Sequence, residues 1–157
     1  MQLLAGYAET NMMKNYLFLL LLVVTPLQAD IYDISKFDLA SHKGKVVYLD
    51  FWASWCKPCR ESFPWMNGLL KKYPADKFTV ITINLDAEAG EMQRFLGKFP
   101  ASFDIYQDAS GAIAEKFQLE AMPTSYLIDS SGKVVRKHIG FYASKTGEYE
   151  REIEELL

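Results

Sequence analysis

Cys56 and Cys59 are the only thiols in a chain of 157 residues, and only Lys57 and Pro58 stand between them. A structural disulfide usually closes a longer loop, and a tetrahedral zinc site takes four ligands. The two imidazoles, His42 and His138, show no paired spacing that could complete such a set. Two thiols this close can instead pass electrons: one attacks a disulfide, and the other resolves the mixed disulfide that forms. The bland alternative is an inert buried pair in a binding or chaperone module. Alkylation separates the two, because a working site holds one thiol of low pKa that reacts at neutral pH.

The flanking residues show what must position these thiols. Lys45 to Trp52 is a nearly continuous β-branched and aromatic run preceded by Gly44, the pattern of a strand buried on both faces. After the cysteines, Phe63, Met66, Leu70 and Tyr73 recur at helical spacing. Pro64 is expected to kink this helix, and Pro74 to end it. Cys56 therefore sits where a strand gives way to a helix, and the helix N-terminus favours a thiolate there. Lys57 would lower the pKa further if its ammonium turns toward the sulfur, and Pro58 fits a first turn whose donors are unpaired anyway. Cys56 is expected to be the exposed attacker and Cys59 the buried resolver. Asp50 interrupts the apolar strand; desolvation should raise its pKa and suit it to act as general base toward Cys59.

The remaining elements follow from periodicity. Ile31 to Leu39 reads as a weak extended segment, and Phe78 to Leu85 as a second central strand. Glu88 to Phe99 is a helix, Ala101 to Tyr106 a short strand and Ala112 to Phe117 a brief helix. Thr124 to Ile128 and Lys133 to Ile139 form strands around the turn Asp129-Ser130-Ser131-Gly132. A last helix sets Tyr149, Ile153, Leu156 and Leu157 on one face, and its acidic run, Glu148 to Glu155, reads as a solvated face. Strands alternating with helices, then a hairpin and a closing helix, imply an α/β fold with a mixed central sheet flanked by helices.

Residues 1–29 read as a signal region and residues 30–157 as one domain. Lys14 precedes an apolar run from Tyr16 to Val24, with Ala29 closing the segment, as in a secretory signal. The run is short for a transmembrane helix, so cleavage after Ala29 is expected, with an uncleaved membrane anchor as the alternative. Glu9, and the lack of a positive charge before Lys14, point to a true start at Met12 or Met13. Export would carry the chain to a compartment where disulfides persist. A net charge of −3 with scattered Lys and Arg gives no basic stripe for nucleic acid.

The segment Asp50-Phe51-Trp52-Ala53-Ser54-Trp55-Cys56-Lys57-Pro58-Cys59-Arg60 resembles the active-site segment of thioredoxins. The wider pattern is similar to the TlpA-like family of exported thioredoxin-fold reductases, which includes the cytochrome c maturation reductases. Phe63-Pro64 follows the cysteines at that family's spacing, and Glu88 to Tyr106 matches its helix–strand insertion. Phe117 to Asp129, with Met122-Pro123-Thr124, matches its cis-proline segment. The resemblance implies a cis Met122–Pro123 bond facing the cysteines, with the Met122 backbone free to pair with a client chain. It also implies a client-docking surface shaped by Ser54, Trp55, Lys57, Met122, Pro123 and Thr124. Two positions depart from the relatives: Thr82 stands where thioredoxin has a lysine partner for the aspartate. Ser62 stands where many cytochrome-maturation members have a glutamate.

The expectation is a periplasmic or otherwise extracytoplasmic protein-disulfide reductase, acting on disulfide-bearing client proteins, with a role in cytochrome c biogenesis as one outlet. A membrane thiol-electron transporter would supply its electrons. No cofactor is expected beyond the Cys56–Cys59 disulfide, no metal and no nucleic acid, and the chain is expected to be a monomer. The alternatives are a net disulfide oxidase or isomerase, and the inert binding module. Trp52 reads as core, and His138 is assigned no role.

Overall fold

Seven consecutive residues of one strand, Val46–Trp52, are all buried, and everything else is arranged around them. In the computed structural model, which describes residues 29–157, this strand (β2) lies at the centre of a six-stranded sheet. The expected signal region falls outside the described residues except for Ala29. Strands β1 (Ile31–Asp33), β3 (Phe78–Asn84), β4 (Asp104–Gln107), β5 (Thr124–Ile128) and β6 (Val134–Ile139) complete it. The order is β1-β4-β3-β2-β5-β6, parallel from β1 to β2 and antiparallel at β5 and β6. The mixed α/β architecture expected from the element order is the one found.

Alternation along the strands divides the core into two layers. One face carries Val46, Tyr48, Trp52, Phe78, Val80 and Leu127; it is covered by α1 (Cys59–Lys72), α2 (Ala89–Leu96) and α4 (Thr146–Glu154). The other face carries Val47, Leu49, Phe51, Ile81 and Ile83; it is covered by α3 (Ala112–Lys116) and by the N-terminal segment through Phe37 and Leu39. Among the described residues no helix is long and apolar enough to cross a membrane.

Several local expectations change. Beyond Asp33 the segment is not extended but makes two 3₁₀ turns, because Asp33 accepts from the Ser35 amide and Asp38 from the Ala40 amide. Such aspartate turns compete with a strand ladder. Helix α1 runs from Cys59 to Lys72 with Pro64 inside it, and Leu69 rather than Leu70 is its fully buried leucine. The hairpin turn forms as read: Gly132 takes a positive φ of 89°, and Asp129 Oδ1 accepts from the Ser131 and Lys133 amides. The acids of α4 are not simply solvated. Glu150 accepts from Trp65 Nε1 and pairs with Lys72, Glu154 also pairs with Lys72, and Glu152 lies against His138.

Candidate active site

Strand β2 ends at Trp52, and the chain needs a turn before α1 can start at Cys59. That turn carries Cys56, whose amide donates to Ala53 O at 3.0 Å. Pro58 caps α1 with φ −65° and ψ −24°, already helical values, which suits a residue whose ring fixes φ and which lacks an amide hydrogen. The two sulfurs form a disulfide with an S–S distance of 2.01 Å and a Cα–Cα distance of 5.4 Å.

The approach to the turn is held by a buried carboxylate that the sequence reading missed. Asp86, 1 % exposed, follows β3 and accepts from the Ser54 amide at 3.0 Å, from Ser54 Oγ at 2.9 Å and from Asn84 Nδ2 at 2.9 Å. The Leu85 amide donates to Trp52 O at 2.9 Å beside it. The segment entering the cysteine turn is thus tied to the end of the neighbouring strand, with two of its polar groups on an acceptor that cannot reach water. The Asn-x-Asp spacing was the available signal.

Exposure differs from expectation. Cys59 is fully buried, and Cys56, expected to be the exposed thiol, is only 3 % exposed in the disulfide form. Trp55 beside it is 65 % exposed; Lys57 and Pro58 are exposed as well. Lys57 makes no ion pair among the described residues. The Met122–Pro123 bond is cis, and Met122 packs against the core cluster that holds both cysteines. Thr124, expected at the docking surface, lies elsewhere: it is fully buried, and its hydroxyl donates to Ala121 O at 2.7 Å. It shapes the proline loop from inside.

Asp50 is where the strand pattern put it, and 2 % exposed. It lies on the same face of β2 as Tyr48 and Trp52, under the layer that contains α1. One carboxyl oxygen, Oδ2, has no hydrogen-bond partner, and burial pushes the pKa well above the usual carboxylate range. Its parallel-strand neighbour is Thr82, whose hydroxyl accepts from Trp52 Nε1 at 3.1 Å and donates to Asp104 O at 3.4 Å. Ser62, 2 % exposed, donates to Cys59 O at 3.1 Å. Neither departure from the relatives introduces a charge next to Asp50. Among the described residues no three His, Cys, Asp or Glu side chains are grouped to hold a metal.

A groove of about 380 Å³ beside the turn is lined by Ser54, Arg60, Arg94, Lys98, Glu91 and Phe95. It lies between the cysteine turn and α2, in the helix–strand insertion read from the sequence.

The profile of the Redoxin family matches residues 27–157. The chain is 36% identical over 118 residues to the thiol-disulfide oxidoreductase ResA of Bacillus cereus, which covers 75% of this chain and 65% of that protein, so the chain spans about two thirds of this relative's length. Among solved structures it is similar to a candidate thiol:disulfide interchange protein DsbE from Chlorobium tepidum, at 46% identity and a TM-score of 0.73, covering 75% of this chain and 84% of that one. It is also similar to a secreted Mycobacterium tuberculosis disulfide oxidoreductase, at 26% identity and a TM-score of 0.65, covering 83% of this chain and 97% of that one. The fold is thioredoxin-like, in agreement with the TlpA-like resemblance.

Proposed function

The chain belongs to the Redoxin family, and on that premise we propose that it is a thiol–disulfide oxidoreductase working outside the cytoplasm, where it reduces disulfides on client proteins. The observation that carries this reading is the disulfide at the N-terminus of α1 with an unpaired, buried carboxyl on the sheet face that α1 covers. Nothing about a merely structural cross-link calls for that carboxyl, whose burial costs free energy.

In the reduced protein, Cys56 is the attacking thiolate, stabilised by the helix N-terminus, with Lys57 and Pro58 setting its surroundings. It attacks a client disulfide and forms a mixed disulfide. Asp50 then takes the proton of Cys59, and the Cys59 thiolate displaces the client from Cys56. Trp55, Met122 and Pro123 form the docking surface. The pair itself carries the two electrons, so the cycle needs no cofactor; a membrane thiol-electron transporter is the donor that an extracytoplasmic site requires. The sequence resemblance makes the cysteines of an apocytochrome c one client. Location outside the cytoplasm is supported by the signal-like residues 1–29 and by the secreted relative.

The test is the equilibrium reduction potential of the Cys56–Cys59 pair against a glutathione series. A value near or below about −230 mV, in the thioredoxin to glutaredoxin range, is expected. A value near about −120 mV, like that of strong disulfide-forming oxidants, would overturn the reducing role.

A further inference from the structure

The groove between the cysteine turn and α2 carries a charge opposite to that of the chain. Arg60, Arg94 and Lys98 line it against a single carboxylate, Glu91, whereas the whole chain has a net charge of −3. All three cations are exposed, and none of the four side chains makes an ion pair among the described residues. Glu91 stands one turn before Arg94, a spacing at which opposite charges on a helix can meet. Arg94 Nε donates to Gly90 O at 3.1 Å instead, and the positive charge of the groove is left uncancelled.

Helix electrostatics accounts for only part of this cluster. Arg94 and Lys98 lie at the C-terminal end of α2, where the helix dipole favours a cation. Arg60 is the second residue of α1, where the same dipole disfavours one, and it has no carboxylate partner to offset that cost. Arg94 and Lys98, one turn apart, also repel each other. A cation cluster drawn from two elements against these costs is complementary to an anion from outside.

Position ties the groove to the redox pair. Ser54, in its wall, stands two residues before Cys56 and is fixed by its bonds to Asp86; Arg60 follows Cys59 directly. Phe95, 5 % exposed, and Phe99 add an apolar floor, with ring centroids 4.9 Å apart and Trp52 of β2 at 4.8 Å from Phe95. From Glu91 to Lys98 the backbone advances about 10 Å at ~1.5 Å per residue, the length of about three residues of extended chain.

We propose that this groove is a docking site for an acidic segment of the client polypeptide beside its disulfide, and that it makes the protein selective for such clients. This rests on the reading of the chain as a reductase of client disulfides. The carboxylates of the segment meet Arg60, Arg94 and Lys98, its apolar stems lie on Phe95 and Phe99, and the adjoining disulfide is brought to the cysteine turn. The exchange is balanced as before: Cys56 and Cys59 form their disulfide, the client S–S bond breaks, and its two sulfurs receive two electrons and two protons. Three cations spread over two elements match a run of carboxylates better than the isolated ones of a small anionic disulfide. Complementarity of this kind acts on association rate and specificity more than on affinity.

The test uses three peptides, each with one internal disulfide, identical except that the three residues flanking each cysteine are all Glu, all Gln or all Lys. Reduced protein is mixed with each below saturation, and reduced peptide is measured by chromatography after an acid quench. Each rate is divided by that of the same peptide with dithiothreitol, which removes differences in intrinsic reactivity. At low ionic strength the Glu peptide should be reduced roughly tenfold faster than the Lys peptide, with Gln between, since charge steering changes association rates by ~10–10³-fold. The advantage should shrink as salt shortens the Debye length from ~30 Å at 0.01 M to ~10 Å at 0.1 M. Arg94→Ala with Lys98→Ala should abolish most of the preference, and Arg94→Glu with Lys98→Glu should reverse it. Lys36→Glu with Lys116→Glu makes the same change in net charge on the other face of the sheet and should keep it. Equal normalised rates for the three peptides overturn the groove, and so does a preference that the remote pair removes as fully as the groove pair. A groove variant that slows all three peptides alike also overturns it, because the cations would then act on the thiols. Oxidised glutathione is the last arm: if the groove variants slow its reduction as much as that of the Glu peptide, the occupant is a small anion and not a client segment. If the protein reduces none of the peptides, the reductase reading itself fails, whereas the other outcomes leave that reading standing.

Discussion

Replacing Asp50 by Asn should change how stability depends on pH, by an amount the structure dictates. The carboxyl is 2 % exposed, and burial is the cause that raises its pKa. In the unfolded chain an aspartate loses its proton near pH ~3.9; in the oxidised folded protein Asp50 keeps it well beyond. Between those two pKa values the unfolded state binds fewer protons, so the stability of the wild type falls as pH rises. Its contribution is fully present below about pH 4 and is lost progressively as pH climbs to the raised pKa. Asn has no such titration. The stability difference, Asp50→Asn minus wild type, should be flat below about pH 4 and then climb by about 1.4 kcal/mol per pH unit until Asp50 ionises in the folded state. A constant offset of about 1–3 kcal/mol from an unpaired amide hydrogen leaves the slope untouched. Asp50→Ala, which replaces that offset with a cavity, should give the same slope. Urea unfolding of the oxidised proteins, followed by tryptophan fluorescence at a series of pH values, measures this, provided the denaturant slopes agree. A difference that stays constant from about pH 4 to neutrality would refute the claim that this carboxyl is desolvated, and with it the account of how it binds the Cys59 proton.

Three further outcomes are expected. Cys59→Ser should accumulate a mixed disulfide with a disulfide-bearing client, visible by non-reducing electrophoresis, whereas Cys56→Ser should form none; the reverse pattern would exchange the two roles. Asp86→Ala removes the shared acceptor of Ser54 N, Ser54 Oγ and Asn84 Nδ2, and should cost about 2–3 kcal/mol in urea unfolding, since hydrogen bonds to a charged group are the stronger ones, with faster amide exchange at Ser54. Asp108→Ala leaves the Ala112, Ile113 and Ala114 amides without their shared carboxylate; a loss of about 1–2 kcal/mol is expected, as for a helix N-cap, with exchange quickened at those three amides first.

The fold was legible where the sequence carried a strong period. Lys45 to Trp52 reads as a buried strand, and Phe63, Met66, Leu70 and Tyr73 as one face of a helix, so the pattern alone places the cysteine turn between them. The segment after Asp33 was misread because hydrophobic pattern alone does not reveal that Asp33 and Asp38 cap turns; the cue was an aspartate two residues before a free amide, which competes with the ladder. Thr124 was misplaced for a different reason. The docking surface read from the sequence included it, but strand alternation and a partner at Ala121 O fold it inward.

The two departures from the relatives acquire a physical meaning once the side chains are placed. A lysine at position 82 would set a cation beside Asp50 and favour the ionised carboxylate. Thr82 instead commits its hydroxyl to Trp52 and to Asp104 O, and Ser62 commits its own to Cys59 O. With no opposing charge supplied by either, burial raises the pKa of Asp50 unopposed. A carboxylate whose pKa is raised in this way is a stronger base toward the Cys59 thiol. A Thr82→Lys variant should therefore lower the pKa of Asp50 and flatten the pH-dependent stability difference described above. If the slope survives that substitution unchanged, the lysine has turned elsewhere and the missing cation is not what sets the proton affinity of this site.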